Sequence, residues 1–208
     1  MLMAALLLAA GVVTELETSA GAARPTFDGG GYNSGDPGSL APAFTARYGV
    51  DVGQLTLSAA FLGVAGSGSK NPLCVSECIE SGSFQAFSGL ALLRLHSEGT
   101  VQLYVEGGGG IGRVIDLSGD HPTGIPGLRG KVGPSFWLGA GGRWFVTRQA
   151  AIGLTLAWTT WGKISAPAQV VGSAQVPPKS NLNATAILLL GSFSWSFGKM
   201  TPARARPR

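Results

Sequence analysis

The chain has 208 residues, a formal net charge of +4, 12% charged residues and 33 glycines. The charged share is about half that of an ordinary soluble domain. Each glycine inside a helix costs about 1 kcal/mol relative to alanine, so this composition excludes long helices. The longest apolar run, residues 2–13, is too short for a membrane-spanning helix, which needs about 20 residues. Together these properties favour a single β-rich domain with a surface poor in charge.

The first residues have the pattern of an export signal. The apolar run is followed by Ala20, Gly21 and Ala22, which form the small-x-small pattern of a cleavage site. We therefore predict a signal peptide over residues 1–22 and export across an inner membrane. Glu15 and Glu17 are unusual in such a signal, and the alternative is an ordered N-terminal segment.

Most of the remaining chain alternates apolar and polar residues with a period of two, which places successive side chains on opposite faces of a strand. An eighth strand is predicted at residues 25–32, where Phe27 and Asp28 take opposite faces. The seven clearer segments are residues 42–50, 54–64, 85–95, 101–106, 132–146, 152–159 and 183–197.

The connections between these segments alternate in length. Short turns are predicted at residues 51–53, 97–99 and 147–149. A transmembrane β-barrel has short turns at one end and longer loops at the other, and strands of about 10 residues cross the hydrocarbon when tilted. This order favours such a barrel over a soluble sandwich. The longer connections are predicted at residues 33–41, 65–83, 116–130 and 163–180.

Two short features lie outside the predicted strands. Cys74 and Cys78 are the only cysteines, and in an exported protein a local disulfide is the expected state. A zinc site would need further ligands that the spacing does not supply, so no metal or other cofactor is predicted. The tail at residues 199–208 is basic and interrupted by proline, which predicts a solvated, disordered segment.

With these segments the chain resembles the small eight-stranded outer-membrane barrels of the OmpA, OmpX and OmpW type. The resemblance implies an all-β fold, a closed antiparallel up-and-down transmembrane barrel of about eight strands over residues 23–198. It also implies the outer membrane of a Gram-negative bacterium, contact with its lipid, and recognition of the last strand by the barrel-assembly machinery. The closing-strand aromatics that would take part are Phe193, Trp195 and Phe197.

If the apolar rows face lipid, the opposite rows give the barrel interior. A buried charge must find a partner, so we predict an interior polar network in the half near the short turns. Its functional interpretation is a gate or an anion site, and its structural interpretation is a plug of paired charges. The predicted members are Asp28, Arg47, Arg94, Glu106 and Arg143.

The glycine-rich row at residues 107–112 contains G-x-G-x-x-G but no helix start follows it, which excludes a dinucleotide-binding fingerprint. We expect these glycines to allow curvature or to leave room for Tyr104 and Trp137. The pair Asp120 and His121 in a long loop is expected to be solvated, and no sequence context defines a catalytic triad. No enzyme activity is predicted.

The sequence therefore predicts a monomeric outer-membrane barrel with a structural or surface-interaction role and no nucleic-acid partner. One alternative is a narrow channel, although eight strands leave a packed lumen. A second alternative is a secreted, lipocalin-like binder of apolar ligands. That alternative would place the apolar row inside a ligand cavity, namely Leu103, Val105, Leu154, Leu156 and Phe193.

Overall fold

A computed structural model describes residues 13–29, 32–35, 40–68, 82–119, 132–166, 169–171, 174–176 and 179–197. Within these ranges no helix is long and apolar enough to span a membrane. The strands are β1 (Val13–Gly29), β2 (Tyr32–Gly35), β3 (Ala41–Val52), β4 (Leu55–Gly68), β5 (Gly82–His96), β6 (Val101–Gly119), β7 (Gly133–Phe145), β8 (Ala150–Ala166), β9 (Gln169–Val171), β10 (Ala174–Val176) and β11 (Lys179–Phe197).

Eight of the described strands form a closed antiparallel barrel, which confirms the predicted fold. Consecutive strands from β3 to β8 pair with each other, β8 also pairs with β11, and β1 pairs with both β3 and β11 to close the sheet. A path across the hydrogen-bonded pairs that leaves β1 at Arg24 returns to β1 at Thr14, ten residues away. A stagger of this size in eight strands implies a strand tilt of about 40°.

The first strand differs from the prediction. β1 begins at Val13 and is paired along its length with β3 and β11, so residues 13–22 belong to the barrel and cleavage at Ala20-Gly21-Ala22 would cut its first strand. The structure thus places residues 13–22, which were assigned to the signal peptide, in an ordered strand, as the alternative of an ordered N-terminal segment expects; cleavage at residue 22 and a barrel start at residue 23 stay predictions. Residues 1–12 and 198–208 lie outside the described residues.

The other strands begin and end near their predicted limits but extend further into the long connections. The strand predicted at residues 25–32 is the end of β1, and Tyr32–Gly35 forms a separate short strand beside it. β6 continues to Gly119 and β11 begins at Lys179, inside segments predicted as loops. The two strands β9 and β10 form a small hairpin between β8 and β11. The predicted disulfide of Cys74 and Cys78 and the pair Asp120 and His121 lie outside the described residues.

The three short turns lie at one end of the barrel, with the start of β1 and the end of β11. Val13 pairs with Asp51 beside the first turn, and Thr14 pairs with Phe197. Gly53 and Gly99 adopt φ angles of 66° and 117° in the first two turns, a region that favours glycine. In the third turn the Thr147 hydroxyl accepts hydrogen bonds from the backbone N–H groups of Gln149 and Ala150.

The alternation of side chains places both polar and apolar residues in the interior and mainly apolar residues on the exterior. Along β3 every second residue is buried while its neighbours are exposed or half-buried. The row that a soluble ligand binder would place inside a cavity is instead uncovered, from 49% for Phe193 to 68% for Leu103. Val105, Leu154 and Leu156 are exposed in the same way. This finding contradicts the lipocalin-like alternative.

The interior is divided into two halves along the barrel axis. In the half near the long connections the side chains form an apolar cluster that includes Leu62, Val64, Leu90, Trp161 and Leu188. In the half near the short turns the inward row is charged and hydroxylated. This division places the polar residues where the sequence analysis predicted them.

Candidate functional site

The candidate site is a charged cluster in the lumen, composed of Glu15, Glu17, Arg47, Arg94, Glu106 and Arg143. The period-two alternation of β1, β3, β5, β6 and β7 turns these side chains inward. Each of the six residues is at most 5% exposed. Burial of this kind requires that every charge be paired or hydrogen-bonded, and the structure shows how the pairing is achieved.

Glu106 on β6 is the centre of one part of the cluster. The Arg47 guanidinium donates to both of its carboxylate oxygens, at 2.6 and 3.0 Å. Arg94 Nε donates to Glu106 Oε2 at 2.9 Å, and Trp137 Nε1 donates to Oε1 at 2.8 Å. The paired geometry from Arg47 is the strong form of this interaction. Glu106 therefore fixes β3, β5 and β7 to β6 from inside the barrel.

Arg94 connects this part to β1. Its Nη1 and Nη2 donate to the two carboxylate oxygens of Glu17 at 2.8 and 3.1 Å. Its guanidinium carbon lies 4.1 Å from the centre of the Tyr104 ring, a cation–π contact. The Tyr104 hydroxyl is hydrogen-bonded to Thr155 Oγ1 at 2.5 Å. All three nitrogens of the Arg94 guanidinium thus have a carboxylate partner, and its face contacts an aromatic ring.

Arg143 and Glu15 form the part nearest the short turns. Arg143 Nη1 donates to both carboxylate oxygens of Glu15, at 2.7 and 2.5 Å, and Nε donates to Gln102 Oε1 at 2.8 Å. Arg94 Nη1 also lies 3.8 Å from Glu15 Oε1. The two parts are therefore one continuous network from β1 through β3, β5 and β6 to β7.

A second polar group lies next to Arg143 at the short-turn end. Asp51 Oδ1 accepts a hydrogen bond from the Thr56 hydroxyl at 3.0 Å and is 3.0 Å from His96 Nε2. His96 Nδ1 is 3.2 Å from the Ser97 carbonyl oxygen. Arg143 Nη2 is 3.9 Å from Asp51 Oδ2. Asp51 and His96 are buried, so this pair continues the network to the end of the lumen.

Glycines on β6 and β7 make the space that these large side chains occupy. A Cβ at Gly139 would lie 3.1 Å from Trp137 Nε1 and 3.2 Å from Glu106 Oε1, and one at Gly141 would lie 2.6 Å from the Tyr104 hydroxyl. Gly112 faces Trp161 in the same way, at 3.1 Å from Cδ1. Glycines therefore leave room for bulky interior neighbours, but those beside Tyr104 and Trp137 lie on β7, outside the predicted row at residues 107–112.

The structure brings together four of the five residues that the sequence assigned to the interior network: Arg47, Arg94, Glu106 and Arg143. It does not bring Asp28 to them. Asp28 pairs with Asn183 at the long-connection end of β1, eleven residues beyond Glu17, and its side chain is outside the described residues.

Sequence reasoning missed Glu15 and Glu17 because they lay inside the predicted signal peptide. Charge balance pointed to a missing carboxylate, since the predicted set has three arginines against Glu106 and Asp28 and leaves one positive charge without a partner. The closing-strand aromatics Phe193, Trp195 and Phe197 lie on the outer face and are exposed.

The chemistry open to the site is limited. Each carboxylate of the charged cluster accepts hydrogen bonds from arginine. In the described part of the chain no group of three His, Cys, Asp or Glu side chains is arranged to hold a metal ion. The arrangement crosslinks strands through the lumen, and its geometry supports a structural role in which paired charges close the lumen.

Comparisons with known proteins identify the fold. No protein-family model matches the chain, and no curated protein does so either. The outer membrane protein OprG from Pseudomonas aeruginosa matches with a TM-score of 0.58 at 9% sequence identity, over 91% of this chain and 97% of OprG. Neisserial surface protein A matches with a TM-score of 0.54 at 12% identity, over 90% of this chain and 97% of its own.

The outer surface agrees with this fold. The outward row of β6 is apolar or glycine from Val101 to Ile111, which at about 3.3 Å per residue and a tilt of about 40° spans roughly 25 Å. This is the height of the apolar band on outer-membrane barrels. The protein therefore has the fold of the eight-stranded outer-membrane β-barrels, including their apolar outer belt.

Proposed function

We propose that the protein is a closed outer-membrane barrel with a structural or surface-interaction role, which holds its long connections at the cell surface and conducts no solute. The observation that carries this proposal is the charged cluster. Its ion pairs join strands that are not neighbours in the sheet, such as β5 with β1 and β7 with β1, so they cross the lumen.

Two successive barriers oppose a hydrated solute. In the short-turn half the bonds of Arg94 and Arg143 to β1 occupy the cross-section of a barrel that eight strands already make narrow. In the other half most inward side chains are apolar and tightly packed, with Leu62, Leu188 and Leu190 at most 1% exposed. The inward hydroxyls of Ser88, Ser135 and Thr159 are already hydrogen-bonded within the protein, so water would gain little there to compensate for leaving bulk solvent.

The surface-interaction role is supported by the position of the connections. The three short turns lie at the same end of the barrel as the start of β1 and the end of β11, so the longer connections all leave from the opposite end. In barrels of this architecture the longer loops are extracellular. Loops that a rigid scaffold positions are the usual place for binding residues.

Conductance across planar lipid bilayers tests the closed lumen. We expect the refolded wild-type protein to produce no discrete current steps, and proteoliposomes that contain it to show no swelling with small sugars. A porin of known conductance, inserted under the same conditions, is the positive control. Discrete openings or size-dependent swelling of the wild type would contradict closure and favour the narrow channel.

A surface tag tests the orientation. An epitope inserted into residues 120–131 is expected to be accessible to antibody on intact cells, whereas the same epitope at Arg148 in a short turn is expected to become accessible only after the outer membrane is permeabilised. The reverse pattern would contradict the proposed display of the long connections.

The outer row of β11 supports a contact with the barrel-assembly machinery, as the resemblance implies. Phe193, Trp195 and Phe197 lie in the last five residues of β11 and face outward. We expect Phe197→Ala to lower the yield of folded barrel in cells while detergent refolding of the purified chain is unchanged. Equal yields in cells would argue against this contact.

A further inference from the structure

A groove runs along the outer face of the barrel where β5 and β6 pair. Its floor consists of small outward residues, because the ladder places Ala91 opposite Gly109, while Leu93 opposite Gly107 and Ile111 opposite Gly89 border the floor at its two ends. Gly89 extends the floor, and a Cβ there would have no atom within 4 Å. Larger side chains border the floor, with Phe61 of β4 opposite Gly89 and Phe136 of β7 opposite Gly109.

The lower end of the groove opens into a surface cavity. This cavity has a volume of about 450 Å³ and is lined by Tyr48, Leu57, Ala59, Ala91, Leu93 and Gly107 among others. It lies near the middle of the apolar belt, six residues above the start of β6 at Gly107. A chain-like apolar ligand that follows the groove downward would therefore end in this cavity.

The upper end of the groove has a positive charge. Arg113 lies opposite Phe87 in the β5–β6 ladder, two residues above Ile111, and is exposed. Among outward strand residues whose side chains the structure describes, the charged ones are Arg24 and Arg113. Both are cationic and both lie toward the long-connection end. A guanidinium has five N–H donors, so it can bind a phosphate while it keeps a contact within the protein.

The aromatic side of the groove is formed by rings that pack against one another. The rings of Phe61 and Phe87 are stacked with centroids 5.6 Å apart, and Phe44 lies 5.9 Å from Phe61. A Cβ at Gly63 would overlap the Phe44 ring, so that ring lies flat against the strand. Flat apolar walls beside a narrow floor suit an extended hydrocarbon chain.

The dimensions match one leaflet of a bilayer. From Gly107 to Arg113 the strand rises about 20 Å, or about 15 Å across the membrane at the tilt given above. This slightly exceeds half of the apolar belt of roughly 25 Å, so Arg113 lies just above the belt. From this geometry we propose that the groove binds a phosphate-bearing lipid of the outer leaflet, with one acyl chain along Gly89, Ala91 and Gly109 and a phosphate at Arg113.

Native mass spectrometry of the folded full-length chain in detergent tests this site, with diphosphorylated lipid A and its dephosphorylated form as probes. We expect the wild type to retain the phosphorylated form preferentially. Arg113→Gln should lower its retention about fivefold, the factor that one cation near anionic lipid is worth. Gly89→Leu should lower retention of both forms, because the side chain would fill the floor.

Matched variants elsewhere on the barrel are the controls. Arg24→Gln removes the other outward arginine, and Gly142→Leu adds a side chain to an outward glycine whose Cβ would have only ordinary contacts, at 3.4 Å or more. Both are expected to retain lipid like the wild type. Folding is checked by heat-modifiable gel shift, and Ala91→Leu replaces Gly89→Leu if that variant does not fold.

Three results would overturn the proposal. Equal loss in Arg24→Gln and Arg113→Gln would indicate general attraction of anionic lipid. Full retention in a folded floor variant would show that no chain occupies the groove. Equal retention of both lipid forms by the wild type would exclude the phosphate contact. Because none of these measurements depends on conductance, they are independent of the closed-lumen proposal.

Discussion

Arg94 on β5 donates two hydrogen bonds to Glu17 on β1, at 2.8 and 3.1 Å, although β3 and β4 lie between these strands in the sheet. The bond therefore crosses the lumen. It links residues 77 positions apart in sequence and connects the strand that closes the barrel to its opposite wall. The register of β1 is thus determined by interior charges as well as by the backbone ladder.

Glu17→Gln is expected to destabilise the folded barrel by about 3 kcal/mol, because removal of one partner leaves a buried guanidinium without its carboxylate. The substitution preserves the size of the side chain, so the loss reports on charge. The free energy of unfolding in urea, measured in phospholipid vesicles, gives the value.

Glu98→Gln is the matched control, since Glu98 is exposed in a short turn with a 3.3 Å contact to Gln54. Exposed substitutions of this kind change stability by about 0.5 kcal/mol or less. A Glu17→Gln variant as stable as the control would show that the crosslink adds nothing to the free energy of folding.

Deletion separates the two interpretations of the N-terminal residues. A variant that starts at residue 13, after an added initiator methionine, is expected to fold in detergent with a heat-modifiable band. A variant that starts at residue 23 should not fold, since it loses Glu15, Glu17, nearly all pairing of β1 with β3 and most of its pairing with β11, which leaves two sheet edges uncovered. A compact band from the shorter variant would support the cleavage predicted at residue 22.

The residues of β1 show why no strand was predicted at residues 13–22 while the rest of the barrel was predicted. In the other strands the outward row is strongly apolar, for example Leu154 and Leu156, so the period of two is visible. In β1 the outward row is Thr14, Leu16, Thr18, Ala20 and Ala22, which is only weakly apolar, so the period of two is faint and the small residues Ala20-Gly21-Ala22 match a cleavage pattern instead.

The inward charges of the site followed from the same alternation, but their partners did not. A strand pattern shows which face Arg94 occupies, whereas its reach across the lumen to Glu17 depends on barrel closure and stagger. The same dependence explains Asp28, which shares the strand of Glu17 but lies at the far end of it.

Gly112→Ala is expected to destabilise the barrel by about 1 to 3 kcal/mol through overpacking of the interior. The added Cβ would lie 2.7 Å from Ser88 Oγ, 3.0 Å from Ser135 Cβ and 3.1 Å from Trp161 Cδ1. Ser88 cannot move freely, because its hydroxyl is hydrogen-bonded to that of Ser135 at 2.8 Å.

Gly89→Ala provides the comparison on the outer face, where the new Cβ would have no atom within 4 Å. Its free energy of unfolding should lie within about 0.5 kcal/mol of the wild type. Equal effects at both positions would mean that glycine is needed at position 112 for backbone curvature and not because the interior lacks space for a Cβ.

Arginine substitutions at two depths test the apolar belt as a lipid-facing surface. Leu156 is 58% exposed and lies six residues above the start of β8, near the middle of the belt. Leu156→Arg is therefore expected to destabilise the barrel in vesicles by about 2 to 4 kcal/mol. Val101 is 61% exposed but is the first residue of β6, so Val101→Arg should cost about 0 to 1 kcal/mol. If both side chains were in water, neither substitution would cost more than about 0.5 kcal/mol, and the difference between them would vanish. The depth dependence, measured by urea unfolding of both variants in the same vesicles, thus distinguishes a lipid-facing belt from an exposed apolar surface.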